Sequence, residues 1–189
     1  AAGHRGIAVG RQGTAYLFGP EGWQAIETPF EGDLNGVALR PDGTAVVVGS
    51  EGAIALNAAD AWEMLNAPAP AELRGVAWVD ETTALIVGAG EEIWLLDTTD
   101  GAIIEIESPV GRGFALNAVA RDADGTLLAV GDRGLAVRYD PASGEAELVR
   151  LGTARELNGL HISPSGNAMA VGERGTILRR MGPGERWVE

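Results

Sequence analysis

The chain has 189 residues, of which 46% are hydrophobic and 22% charged, so its composition is that of a packed globular protein and excludes a disordered one. Its 27 acidic residues outnumber 14 basic ones, all of them arginine, and the net charge of −13 argues against a nucleic-acid partner, whose phosphates it would repel. The absence of cysteine excludes disulfides and thiolate chemistry, and no apolar run approaches the ~20 residues of a membrane span.

Two sequence columns repeat along the chain. Val-Gly recurs with intervals of 39, 39, 43 and 41 residues between its glycines, Gly10, Gly49, Gly88, Gly131 and Gly172. A Leu-Asn or Leu-Arg pair stands in four units, and its polar residue always lies 14 positions before the repeat glycine, at Asn35, Arg74, Asn117 and Asn158. Matches at one fixed offset predict a structural repeat of about 40 residues.

The second unit shows what one repeat contains. A first strand through Val37–Leu39 ends in the turn Pro41–Thr44, whose Asp-Gly pair favours a tight hairpin. The second strand, Ala45–Val48, is apolar at every position, as in a strand that is buried on both faces. A third strand is predicted over Ala53–Leu56, and Trp62 opens the fourth.

Four short antiparallel strands in about 40 residues are typical of a propeller blade. The sequence therefore predicts an all-β fold, a single β-propeller domain of about five WD-like four-stranded blades. Continuous apolar strands argue against a β-sandwich, and the lack of helical periodicity argues against a helical solenoid. The predicted units cover residues 1–33, 34–72, 73–115, 116–156 and 157–189.

The first unit starts at its second strand, Gly6–Val9, so three strands plus four sets of four give 19 strands where a closed five-blade ring needs 20. One blade then has three strands, or the chain is an excerpt of a longer ring, or a partner donates the missing strand. The unpaired apolar edge near Ile7 predicts self-association or occupation by another segment.

The last unit carries a family resemblance. Its segments AVGERG, Ala170–Gly175, and GTILRRMGPGERWVE, Gly175–Glu189, resemble the repeats of bacterial neuraminidase-type and photosystem II assembly-factor propellers. The first unit has a weaker version in Gly13–Trp23. The Asp-box of those families is not intact, and the arginine triad, tyrosine nucleophile and acidic partners of sialidases cannot be mapped here. The resemblance implies a propeller with a binding or assembly role as often as a catalytic one.

Four arginines are candidate ligand-binding or partner-binding residues. Arg11, Arg133 and Arg174 lie in the turns after the repeat glycines, which should share one face of the ring and attract anions. The alternative is that they are solvated charges paired with neighbours such as Asp132 and Glu173. The polar column could line the mouth of the central channel, or its amides could satisfy backbone groups. Arg74 breaks the asparagine pattern and is therefore a further candidate.

No cofactor, metal site or catalytic residue is expected. His4 and His161 lack further ligands at metal-site spacing, and turn chemistry explains Asp42 and Asp124 more simply than Ca²⁺ binding. The known nucleophile, zinc-protease and phosphate-loop motifs are absent, so an enzyme is the less favoured class.

The predicted function is a non-enzymatic scaffold that binds or assembles a protein or peptide partner. The alternative is a sialidase-like propeller that binds or cleaves glycans, although Trp23, Trp62 and Trp187 are expected to pack outer strands and not to form a sugar platform. The sequence leaves the location open. A soluble chain is expected, and export or membership of a larger extracytoplasmic protein is one of the options left open.

Overall fold

The structure is a computed structural model and describes residues 6–58, 61–90, 92–109 and 113–189. Its regular structure consists of β-strands with three single-turn 3-10 segments at Ser50–Gly52, Asp132–Gly134 and Glu173–Gly175. No helix in these described ranges has the length and apolar character needed to cross a membrane.

The strands form five antiparallel sheets, each built from consecutive segments of the chain. Blade 1 contains β1 (Gly6–Val9), β2 (Ala15–Gly19) and β3 (Gly22–Ile26). Blade 2 contains β4 (Leu34–Leu39), β5 (Ala45–Gly49), β6 (Ile54–Ala58) and β7 (Ala61–Leu65). Blade 3 contains β8 (Glu72–Trp78), β9 (Thr83–Ala89), β10 (Ile93–Asp97) and β11 (Ile103–Glu105). Blade 4 contains β12 (Leu116–Arg121), β13 (Leu127–Gly131), β14 (Leu135–Asp140) and β15 (Glu145–Arg150). Blade 5 contains β16 (Leu157–Ile162), β17 (Asn167–Gly172) and β18 (Ile177–Met181).

The predicted five-blade β-propeller is confirmed. Within each of blades 2 to 5 the first strand is innermost, and the inner strands β4, β8, β12 and β16 contact one another in that order. The second strand of blade 2, β5, is buried at every residue, as its continuous apolar sequence predicts. Asp-Gly turns join the first and second strands of blades 2 and 4, where Gly43 and Gly125 supply the positive φ.

The hydrophobic core is divided into layers between neighbouring blades. We call the side of a blade that faces the next blade in the chain its leading face, and the other side its trailing face. The leading face of blade 2, with Val46, Val48 and Ile54, packs on the trailing face of blade 3, with Ile86 and Trp94. Corresponding layers join blade 3 to blade 4 and blade 4 to blade 5.

Blades 1 and 5 differ from the three blades between them. Blade 1 begins at its second strand, as predicted, so β1 pairs only with β2 among the described residues. The prediction of a full fourth strand in blade 5 is wrong, because the C-terminal segment forms a single bridge between Arg179 and Val188. Gly182, Pro183 and Gly184 precede that bridge and do not favour a strand. The described residues therefore form 18 strands, one fewer than the predicted 19.

Candidate binding face

One face of the propeller brings both repeated columns together. The leucine that opens an inner strand pairs with the repeat glycine that ends the second strand, as in Leu34 with Gly49 and Leu116 with Gly131. The polar column and the turns after the glycines consequently lie at the same end of every complete blade. We call this surface the turn face, and it comprises residues 10–13, 49–52, 88–90, 131–134 and 172–175 with Asn35, Arg74, Asn117 and Asn158.

The repeat glycines are required for a close backbone approach. Gly49 and Gly131 have extended backbones, with φ of −163° and −169°. A Cβ at Gly131 would lie 1.9 Å from the Ala115 carbonyl oxygen, and one at Gly49 would lie 2.1 Å from that of Asp33. Gly10 differs, because nothing lies within 4 Å of the position of its Cβ.

The turn of blade 2 is fixed at both ends by backbone hydrogen bonds. The Ser50 N–H donates to the Asp33 carbonyl at 2.9 Å, which ties the turn to its own inner strand. The Gly52 N–H donates to the Ala71 carbonyl at 2.7 Å, and Ala71 belongs to the connection that enters blade 3. This turn is therefore held between two blades and presents its side chains from a rigid base.

A left-handed residue stands in the middle of four turns. Its φ is 55° at Gln12, 57° at Glu51, 53° at Arg133 and 55° at Arg174, whereas blade 3 has Gly90 there. This backbone region costs a non-glycine residue about 1–2 kcal/mol. All four side chains are long, polar and exposed. The chain thus carries polar groups at a position where glycine would relieve the strain.

The turn arginines lie on this face as predicted, but in different surroundings. Arg133 is exposed and stacks its guanidinium over the Phe114 ring at 5.0 Å. The side chains of Arg11 and Arg174 are exposed and form no hydrogen bond or ion pair with any residue that the structure describes. Asp132 accepts from the Ala115 N–H at 3.0 Å and does not pair with Arg133. Arg133 and Arg174 stand on neighbouring blades, and Arg11 is on blade 1.

The asparagine column links successive blades. The Asn35 amide donates to the Leu73 carbonyl at 2.9 Å and to the Glu72 carboxylate at 2.8 Å. The Asn117 amide donates to the Leu157 carbonyl at 2.9 Å. At Asn35 and Asn117 these contacts confirm the expectation that the amides satisfy backbone groups.

Arg74 joins the same chain of contacts. It is half-buried, and its Nη1 donates to the Asn117 Oδ1 at 2.5 Å. The candidate arginine in the column is therefore already engaged with blade 4. Six acidic residues lie on this face or directly beside it: Asp33, Glu51, Glu72, Asp132, Glu156 and Glu173. The turn face is consequently of mixed charge, and its arginines are separate positive charges among acidic residues.

A groove between blades 4 and 5 contains a buried ion pair that sequence reasoning missed. The groove has a volume of about 830 Å³, and Arg180 and Asp122 lie in its wall. Arg180 Nη2 donates to Asp122 Oδ2 at 2.6 Å and to the Gly166 carbonyl at 3.0 Å. Only 7% of each residue is exposed, and the guanidinium stacks on Trp187 at 5.4 Å.

The alternation of exposed and buried residues along β18 could have indicated this ion pair. Leu178 and Arg180 point into the layer between the blades, whereas Ile177 and Arg179 point away from it. An arginine in register with a buried leucine needs a buried acceptor. Asp122, at the end of the inner strand of blade 4, provides it. The ion pair links blade 5 to blade 4.

The opposite end of the blades carries the Asp-Gly turns. The Thr44 N–H donates to Asp42 at 2.9 Å, and this hydrogen bond lowers the pKa of Asp42 below its ordinary value of 3.8. Burial raises the pKa of Asp124, but donation by the Thr126 hydroxyl and N–H outweighs it, and the pKa is lowered. These contacts fit the predicted turn chemistry. The described residues contain no group of three or more metal-ligating side chains, and His4 lies outside them.

The tryptophans have different environments. Trp187 is half-buried and packs on the layer between blades 4 and 5, as expected of an outer-strand residue. Trp62 is also half-buried. Trp23 is 56% exposed and lies beside Phe18, with a distance of 5.2 Å between the ring centroids. Its exposure was not expected.

No protein-family model matches the chain, and no curated protein matches it by sequence. Solved structures do match. Virginiamycin B lyase from Staphylococcus aureus aligns with a TM-score of 0.81 and 16% identity over 99% of this chain. YCF48 bound to D1 peptide aligns with a TM-score of 0.71 and 18% identity over 98% of this chain. The WD40 β-propeller domain of Doa1 aligns with a TM-score of 0.73 and 12% identity over 87% of this chain.

These likenesses confirm the expected resemblance to assembly-factor propellers at the level of the fold. They do not extend to activity, because every identity is below 20%. The alignments cover 69%, 63% and 56% of the three solved chains, respectively. This chain thus corresponds to part of each of those longer proteins.

Proposed function

We propose that the chain is a non-enzymatic binding module that holds a peptide or protein segment on its turn face. The observation that carries this proposal is the set of strained left-handed turn residues, Gln12, Glu51, Arg133 and Arg174. A rigid scaffold with variable polar side chains at equivalent points is suited to recognition. Backbone strain that is retained at exposed polar residues supports a functional role for them.

Arg133 and Arg174 are the proposed centre of the contact. They stand on adjacent blades in nearly the same backbone conformation, and neither forms an ion pair with a described residue. Stacking on Phe114 fixes the plane of the Arg133 guanidinium and leaves its edge free to donate. Carboxylates of the partner are the matching acceptors. Arg11 extends the surface on blade 1, and Arg74 takes part only if it releases Asn117.

The likeness to YCF48 bound to D1 peptide agrees with a peptide-binding role, since a related fold holds a peptide in that structure. The acidic surroundings make the proposed contact selective. A partner of high negative charge is repelled by the net charge of −13. We therefore expect the partner segment to carry one or two carboxylates among neutral residues.

A displayed library of random peptides, selected on the purified chain, tests the proposal. Selected peptides should bind the wild type and lose at least tenfold in affinity with the double variant Arg133→Ala/Arg174→Ala. The matched control is Arg150→Ala/Arg186→Ala, which removes two exposed arginines outside the turn face and should leave binding unchanged. Equal binding by both double variants would contradict the proposal, as would reproducible turnover of fluorogenic glycosides by the wild type.

A further inference from the structure

The connection between blades 4 and 5 carries an arginine that belongs to neither repeat column. Arg155 is exposed and lies two residues before Leu157, the leucine that opens the inner strand of blade 5. The equivalent residues of the connections into blades 2, 3 and 4 are Gly32, Ala71 and Phe114. The blade 5 connection is therefore the one that places a cation at this position.

Arg155 lies between the turns of two neighbouring blades. On one side, the Thr153 carbonyl oxygen would lie 2.1 Å from a Cβ at Gly134 of the blade 4 turn. On the other side, the Glu173 N–H of the blade 5 turn donates to the Glu156 carbonyl at 3.0 Å. The connection is thus packed between the two turns, and the structure describes the blades on both of its sides. We call this boundary, with residues 153–156 at its centre, the seam.

The guanidinium of Arg155 is oriented but keeps free donors. Its Nη1 donates to the Thr176 hydroxyl at 3.3 Å, and Thr176 is 1% exposed at the end of the blade 5 turn. Arg155 forms no ion pair with a residue that the structure describes. Because a guanidinium carries five N–H donors, most of those of Arg155 remain for a ligand.

Three arginines consequently follow one another across the seam. Arg133 stands in the blade 4 turn, Arg155 in the connection and Arg174 in the blade 5 turn. The other side of the blade 4 turn differs. There the equivalent connection residue is Phe114, on which Arg133 stacks, and its carbonyl accepts from the Gly90 N–H of the blade 3 turn. The surroundings of Arg133 are therefore aromatic towards blade 3 and contain a second arginine towards blade 5.

We propose that Arg133, Arg155 and Arg174 together bind two acidic side chains of an extended peptide that crosses the seam. The inference deepens the proposed function and rests on it. Arg155 is the middle cation, so it donates to both carboxylates, whereas the two turn arginines each donate to one. Side chains that face the same side of an extended segment are two residues apart. The recognised motif therefore has acids at positions i and i+2.

The surroundings of the seam make the motif asymmetric and limit its charge. The end of the motif towards blade 3 meets the Phe114 ring, which suits a neutral or apolar side chain. Glu156 and Glu173 lie in the seam, and neither forms an ion pair with a described residue. Their carboxylates repel any further acid of the peptide. A segment with two acids on one side of an apolar residue thus fits better than a run of acids.

Parallel selection of a displayed random-peptide library on the wild type and on Arg155→Gln tests the inference. Glutamine removes the charge and keeps a donor for the Thr176 hydroxyl. Peptides from the wild type should be enriched in acids at i and i+2, and they should bind Arg155→Gln about tenfold more weakly. The matched control is Arg121→Gln, which removes an exposed arginine at the opposite end of the blade 4 inner strand and should bind like the wild type.

Charge reversal separates a direct contact from a structural role of Arg155. The Arg155→Glu chain should prefer a selected peptide in which one acid is replaced by lysine, and the wild type should prefer the parent peptide. Selected peptides without paired acids would overturn the inference and leave the proposed function intact. Equal binding to Arg155→Gln and the wild type, or no change of preference with Arg155→Glu, would do the same. A library that yields no peptide on the wild type would contradict the proposed function itself, and this inference with it.

Discussion

Blades 4 and 5 carry the same strand pattern in two different environments. Val130 and Val171 both precede the repeat glycine on the leading face of the second strand, yet Val130 is fully buried and Val171 is 41% exposed. The same contrast separates Ala136 from Ile177 on the third strand. The repeat pattern thus determines which way a side chain points, and the neighbouring blade determines whether it is buried.

Blade 4 packs through both of its faces, whereas blade 5 packs, among the described residues, only through its contact with blade 4. Blade 5 compensates in part with the buried pair of Arg180 and Asp122, which ties it to blade 4. Variants that separate the two environments can therefore measure how much stability each layer supplies.

The largest loss of stability is expected when the buried ion pair between blades 4 and 5 is broken. Arg180→Ala leaves the Asp122 carboxylate buried without its cation and should lower the free energy of unfolding by about 4 kcal/mol. Urea unfolding followed by circular dichroism measures this loss. The double variant Arg180→Met/Asp122→Leu should recover most of it, because it removes the buried charges together. A double variant as unstable as Arg180→Ala would show that packing of the guanidinium is the main contribution.

The repeat glycines give the next largest effect. Gly131→Val drives a side chain into the Ala115 carbonyl and should destabilise the fold by about 3 kcal/mol. Gly10→Val meets open space in blade 1 and should change stability by no more than about 0.5 kcal/mol. Thermal unfolding of the two variants compares an internal turn with a terminal one. Similar melting temperatures for both would contradict the close-approach role of Gly131.

The matched valines test the comparison directly. Val130→Ala opens a gap in a buried layer and should cost about 2 kcal/mol, from the lost methyl groups and the cavity left behind. Val171→Ala removes the same atoms from an exposed face and should cost less than about 0.5 kcal/mol. Chemical unfolding in urea measures both values. A large cost at Val171 would mean that its face is covered even in the single chain.

Much of the fold could be predicted from the sequence because the repeat is local. The Val-Gly column and the Asp-Gly turns fix the strands of blade 2 to within a few residues, and the start of blade 1 at its second strand follows from Gly6–Val9 alone. The fourth strand of blade 5 could not be judged in this way. Trp187 and Val188 suit a strand, but Pro183 and the glycines beside it reduce the pairing to one bridge.

The candidate site was predicted in position but not in its contacts. Sequence alone indicates that Arg133 and Arg174 share a face, because they occupy one repeat position. The stacking of Arg133 on Phe114 and the bond from Arg74 to Asn117 join residues of different repeat columns or blades, which one unit cannot reveal. The repeat pattern does not distinguish a positive φ from a close backbone approach at its glycines, and only the backbone distances decide between them.

The smallest effect is expected on the pH dependence of stability. It is tested by comparing the Asp-Gly turns of blades 2 and 4 with the turn of blade 5, where Ser165 stands in place of Asp42 and Asp124. In the folded chain, donation from Thr44 lowers the pKa of Asp42 below 3.8 and outweighs burial. Burial raises the pKa of Asp124, but donation from Thr126 outweighs it and lowers the pKa below 3.8. An acid whose folded pKa is depressed contributes stability above its unfolded pKa, and that contribution is lost as the pH falls through the folded value. Asp124→Asn should therefore make the decline of stability below about pH 4 shallower, measured as urea midpoints between neutral pH and pH 3. Ser165→Asp places a carboxylate in the equivalent turn of blade 5 and should make the decline steeper. A decline of unchanged slope in both variants would show that the acid sensitivity arises elsewhere in the chain.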